Sequence, residues 1–248
     1  MKPKLYLKAV KGALQHSAPS KDFLNILLLN AIFILSILIG FKVLTTLTQD
    51  QFTSISAVNL DNMQEKSAEE MQAISRNAQS FLKTILKVGS FFLIIEMIIL
   101  AITQARVYSI LGKKKLKVSH FLLAHLFWAP VWIIAFFAVA FAGQPAAYQA
   151  AMAVLALLFI HFTLILYGQL AKHPLGPAFA NTFKRGIMLH RFVIPYSIIF
   201  LVYLVLGTLT LATRLLPRLA SQSANIILLL LLMSWVQVFH ARFYSIET

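Results

Sequence analysis

Phe23–Leu47 reads FLNILLLNAIFILSILIGFKVLTTL, 25 residues with one charge, Lys42, and no alternation of apolar and polar positions. A bilayer core takes about 20 predominantly apolar residues per helix, so this stretch is long enough to cross one. In lipid only helices and closed barrels satisfy their backbone, and barrel strands alternate. The stretch therefore predicts a transmembrane helix.

Five further runs share the pattern: Val88–Gln104, His120–Ala142, Gln149–Ala171, Phe192–Thr213 and Ala224–His240. The composition agrees. Of 248 residues, 59% are hydrophobic and 12% charged, and the mean hydropathy is +0.79. Soluble chains run at about 45–50% apolar, so an ordinary core cannot absorb the excess. The expected fold is all-α: a polytopic bundle of six spans forming one domain over 23–248. The first apolar run begins late and is too long for a secretory h-region, so no signal peptide is expected. Zero cysteines exclude disulfides, iron–sulfur clusters and thiolate metal sites.

Twenty-two Lys+Arg against eight Asp+Glu give a formal net charge of +14. Such a balance raises nucleic acid as a partner, but no folded basic domain remains once the spans are removed. The basic residues instead cluster between spans. Lys2, Lys4, Lys8, Lys11 and Lys21 precede span one. Arg106, Lys113, Lys114, Lys115 and Lys117 follow span two, and Lys172, Lys184, Arg185 and Arg191 follow span four. The positive-inside rule puts that side in the cytoplasm, with both termini, in a multi-pass protein of the cell membrane. Residues 48–85, 143–148 and 214–223 then face outside, with Arg214 and Arg218 as dissenters.

The non-spanning segments add detail. The head, 1–22, reads as a basic amphipathic helix, with Leu5, Ala9, Val10 and Ala13 opposite Lys4, Lys8 and Lys11. It suits anionic lipid head groups on the cytoplasmic side, as do the other basic segments. Ser20 is placed to cap span one. In the outer loop, 48–85, no Gly or Pro interrupts the chain between Phe41 and Val88. Apolar or small residues recur at Leu60, Met63, Ser67, Met71, Ile74, Ala78, Phe81, Ile85 and Val88, in steps of three and four. Spans one and two are thus expected to extend outside as a helical hairpin, a surface for a protein partner. Ser67 and Glu70 match a capping box, so the second helix has an alternative start there. Gly112 suits a helix C-cap. Pro177 opens a second interfacial helix, Ala178–Arg191, with Phe179, Phe183 and Ile187 toward lipid.

Ionisable residues inside lipid are costly and are functional candidates. Glu96 sits near the middle of span two and His161 near the middle of span four, while Lys42 can snorkel to the outer interface. Two readings of Glu96 and His161 compete. They share a proton, as in a small transporter or channel, or each hydrogen-bonds a neighbouring helix. His120, His125, His173, His190 and His240 gather at one face without the pairs or carboxylates of a metal site, so no metal or other cofactor is expected. Gly-x-Ser-x-Gly, His-Glu-x-x-His and phosphate-binding glycine loops are absent. Glu69-Glu70 with Arg76 has the wrong spacing for the paired-glutamate motif of intramembrane prenyl proteases. The expectation is not an enzyme but a scaffold, assembly factor or accessory subunit of a membrane complex.

The order of features resembles six-span membrane proteins of small-genome archaea. The shared parts are the lysine-rich start before Phe23, the polar helical loop after span one, and Leu111-Gly112-Lys113-Lys114-Lys115 after span two. Thr182-Phe183-Lys184-Arg185-Gly186 before span five and Ala241-Arg242-Phe243-Tyr244 at the end complete it. A broader likeness is to the membrane domain attached to some glycerophosphodiesterases, without the hydrolase domain. Neither resemblance implies an activity.

Overall fold

The computed structural model describes residues 20–56, 68–142, 145–189, 192–215 and 217–247, with Lys4, Leu7, Lys8, Lys11, Gly12 and Gln15 of the head. Those six head residues are helical. The rest of the head, His190, Arg191, and Leu60, Met63 and Ser67 of the expected seam lie outside the described residues.

Among the described residues there are seven α-helices and no strand. They are α1 (Lys21–Ser56), α2 (Ala68–Gly112), α3 (Val118–Ala142), α4 (Pro145–Leu170), α5 (Leu175–Gly186), α6 (Val193–Ala212) and α7 (Arg218–Glu247). All but α5 are long and apolar enough to cross a membrane. The chain is a multi-pass integral membrane protein.

Local chemistry explains where the helices start and stop. Ser20 caps α1, its Oγ accepting from the Phe23 N–H at 3.2 Å. This places an acceptor on one of the N–H groups that a helix start leaves unmet. At the end of α2 the expected role of Gly112 is shifted by one residue. Gly112 is the last helical residue, and Lys113 takes the left-handed conformation with φ 49°. Lys114 N–H returns to Ser109 O at 3.1 Å and Lys113 N–H to Ile110 O at 3.3 Å, the bond pair of a Schellman ending. Ser109 Oγ accepts from Leu116 N–H at 3.0 Å, pinning the lysine loop as it leaves the helix. Pro130 does not break α3, which runs through it as one helix.

Packing divides the chain into two compact units, residues 1–31 with 101–248 and residues 32–100. The apolar pattern, read as one domain over 23–248, does not signal this division. In the first unit the core lies at one end of the helices. It comprises Phe23 and Ile26 at the start of α1, Ala101–Tyr108 in α2, Phe121–Trp128 in α3, and Leu166–Leu170 in α4, with Ala178 of α5 and Trp235–Phe239 of α7. This is the end that carries the exposed Lys113, Lys114, Lys115 and Lys117. The opposite ends of α3, α4, α6 and α7 contribute no buried side chain among the described residues. Along the spans their exposed large side chains are mostly Leu, Ile, Val and Phe, which need no protein cover in a hydrocarbon solvent, while Gln149 of α4 and Arg218 and Gln222 of α7 lie exposed near the helix ends.

The second unit holds the rest of α1 and α2. Ser36 Oγ meets Glu96 Oε2 at 2.8 Å, and a Cβ on Gly40 would come within 2.8 Å of the Phe92 ring. Four residues forward on α1 correspond to four residues back on α2, so the two run antiparallel and glycine gives the aromatic ring its room. Continuing that register pairs Leu44 with Val88 and Thr48 with Thr84. Thr48 is buried, and the other three are half-buried. Farther along α2, Ile74 and Phe81 of the expected seam are half-buried, whereas Met71 and Ala78 are exposed.

Candidate functional site

The polar side chains of the first unit are concentrated at its packed end. Asn30 on α1 donates through Nδ2 to Ser234 Oγ and to Gln237 Oε1 of α7, each at 2.9 Å. Gln237 Nε2 donates onward to Gln104 Oε1 of α2 at 3.2 Å. Asn30 and Ser234 are wholly buried, and Gln104 and Gln237 nearly so. An amide has both donors and an acceptor, so a chain of amides can tie three helices without any charge. The sequence carries a signal for this network, namely amides inside or at the edge of apolar runs, which a search confined to ionisable residues passes over.

A second tie is built on His161. Its Nε2 lies 2.9 Å from the carbonyl oxygen of Gly186, which can only accept, so the proton sits on Nε2 and is donated there. Nδ1 then accepts from the Tyr196 hydroxyl. A neutral imidazole has one donor and one acceptor, and both are spent. The pattern set His161 mid-span, and the structure sets it against the junction of α5 and α6. The cause is α5, which folds back along α4 after the turn at Ala171–Pro174. Its buried small residues Ala178, Thr182 and Gly186 allow close approach, and a Cβ on Gly186 would overlap the Phe162 ring.

α5 also differs from the expected interfacial helix in extent and in face. It begins at Leu175, two residues before Pro177, and ends at Gly186. Phe179 turns inward against Trp128, with ring centroids 5.8 Å apart. Phe183 touches both Trp128 and Phe162 while half its surface stays open, and Ile187 is 73% exposed. Lys184 and Arg185 occupy its last turn, where the helix dipole favours cations. Partial burial and then the Arg185 guanidinium hold Lys172 below the usual lysine range.

A third tie joins α3 to α4. His125 Nδ1–H donates to Phe121 O at 2.6 Å, and Tyr167 O–H donates to His125 Nε2 at 2.7 Å. Trp128 Nε1–H donates to Thr163 Oγ1 at 3.0 Å. Among the described residues, no three His, Asp or Glu side chains gather closely enough to hold a metal ion.

Comparison with protein-family models, curated proteins and solved structures finds no match.

The remaining sequence candidates fall as follows. Glu96 belongs to the second unit and has its partner, Ser36, on α1. Lys42 is exposed, as are Lys4, Lys8 and Lys11. His161 has its partners, Gly186 and Tyr196, in the first unit.

Proposed function

We propose that this chain is a non-catalytic structural member of a membrane complex, a scaffold, assembly factor or accessory subunit. It sits in the cell membrane with its lysine-rich end and both termini in the cytoplasm. The observation that carries this reading is the use made of the polar side chains at the packed end. Asn30, Gln104, Gln237, His125 and His161 are engaged in hydrogen bonds between or within helices. A translocation pathway needs polar groups that face water or exchange partners with a cargo. Groups tied to one another favour a fixed framework.

The partner surface of that framework is the part of α2 before its apolar run. Twenty residues of continuous helix, 68–87, precede Val88, a length of about 30 Å at the helical rise. Met71, Leu82 and Leu86 are exposed on it, where isolated water-facing helices rarely place large apolar residues in number. Anionic lipids are the second partner, held at the cytoplasmic side by Lys113, Lys114, Lys115, Lys117, Lys184 and Arg185.

A photoreactive amino acid placed singly at Met71 and at Leu82 tests the reading in native membranes. The expected result is cross-linking of both positions to the same discrete protein, together with loss of one native membrane complex when the chain is deleted. Diffuse lipid adducts at both sites, with every complex intact after deletion, would overturn it.

A further inference from the structure

We propose that one exposed face of α2 docks a single transmembrane helix of another protein, which continues outside alongside α2 and presents a hydrogen-bond donor to Glu96. The inference starts from spacing. Ser75, Leu82, Gly89 and Glu96 stand seven residues apart along one continuous helix. Leu86 and Leu93 keep the same step beside them. Seven residues fall only about 20° short of two full turns, so these positions share one face. Ser75, Leu82, Leu86 and Leu93 are exposed, and a Cβ on Gly89 would meet nothing within 4 Å. A sustained step of seven is the spacing at which a second helix packs along the first. A glycine on that face lets the backbone of such a helix come close.

Glu96 is where this face meets the α1 side. It also ends the row Thr84, Val88, Phe92, Glu96, whose steps of four lie toward α1. Its Oε2 accepts from Ser36 Oγ of α1 at 2.8 Å, while the side chain stays only half-buried. An ionisable side chain at that depth faces protein or a water-filled cavity far more often than lipid. A carboxyl has a second oxygen with which to accept, and a donor on the docked helix meets it there.

The level of each residue restricts the occupant. Ser75 and Leu82 precede the apolar run that opens at Val88, whereas Gly89, Leu93 and Glu96 lie within it. A water-soluble partner stops at the interface, and lipid does not cover Leu82. A helix that crosses the interface covers both. A second copy of this chain, packed in parallel through the same face, sets Glu96 against Glu96 without a donor between them. The inference rests on the partner surface assigned above to α2 and extends it into the membrane.

Photoreactive amino acids placed singly at Leu82, Leu93 and Phe91 of the full chain in native membranes are the test. Phe91 is exposed on the opposite side of α2. Leu82 and Leu93 are expected to cross-link the same membrane-spanning protein, and Phe91 lipid alone. Glu96→Leu should reduce the Leu93 adduct several-fold. A protein adduct at Leu82 without one at Leu93 overturns the inference and leaves the partner reading standing. No protein adduct at either position overturns both. Adducts between two copies of this chain, an equal protein adduct at Phe91, or an unchanged Leu93 adduct in Glu96→Leu also overturn it. Should Glu96→Leu fail to fold, Gly89→Ile takes its place, because its side chain enters open space within this chain. Loss of the Leu93 adduct in Gly89→Ile supports the docked helix, and its persistence refutes it.

Discussion

Lys113 shows what one residue adds to a helix end. A Cβ-bearing residue in the left-handed region costs about 1 kcal/mol or more, and Lys113 sits there at φ 49° with Gly112 just before it. Lys113→Gly should therefore raise the thermal stability of the detergent-solubilised protein by an amount equivalent to about 1 kcal/mol. An unchanged or lowered melting temperature would show that the lysine side chain compensates in place. The glycine itself was legible in the sequence as a terminator, but the register of the Schellman bonds was not. It depends on which carbonyl Lys114 reaches. His161 is the same case at the bundle interior. Its place in an apolar run marks it at once, yet its partners come from 25 and 35 residues away. No local pattern names them.

At the level of the element, the apolar runs locate six helices because length and continuity in lipid leave the backbone one open-ended solution. The runs underestimate where helices end. α1 continues to Ser56 and α2 begins at Ala68, since polar residues without Gly or Pro propagate a helix already nucleated. α5 was legible as amphipathic, but its inward face was not. Phe179 turns inward because Trp128 of α3 offers a ring to pack on, and α3 is distant in sequence. The antiparallel register of α1 and α2 yields a direct prediction. In this cysteine-free chain, Thr48→Cys with Thr84→Cys should form a disulfide under mild oxidation, whereas Thr48→Cys with Leu86→Cys, on the opposite, exposed face of α2, should not. Gel mobility after protease cleavage between the helices reads the outcome, and cross-linking of the second pair alone would refute the register.

For the whole molecule, the sequence fixes the class of fold and points to a lysine-rich side. It does not reveal that the buried core lies at that side, because burial depends on which helices converge. Orientation is open to a labelling experiment with an impermeant thiol reagent on intact cells. Glu69→Cys should react and Lys114→Cys should not; the reverse pattern would invert the topology. The framework reading makes a sharper demand, that water does not reach the amides joining Asn30, Gln104 and Gln237. The most direct measurement is the reaction rate of Ser234→Cys with a water-soluble maleimide supplied to both sides of vesicles, with Lys114→Cys as the exposed reference. Ser234 is wholly buried beside Asn30, so Ser234→Cys should stay unmodified while Lys114→Cys reacts to completion. Modification of Ser234→Cys at a rate comparable to Lys114→Cys would place water inside the packed end and contradict the framework.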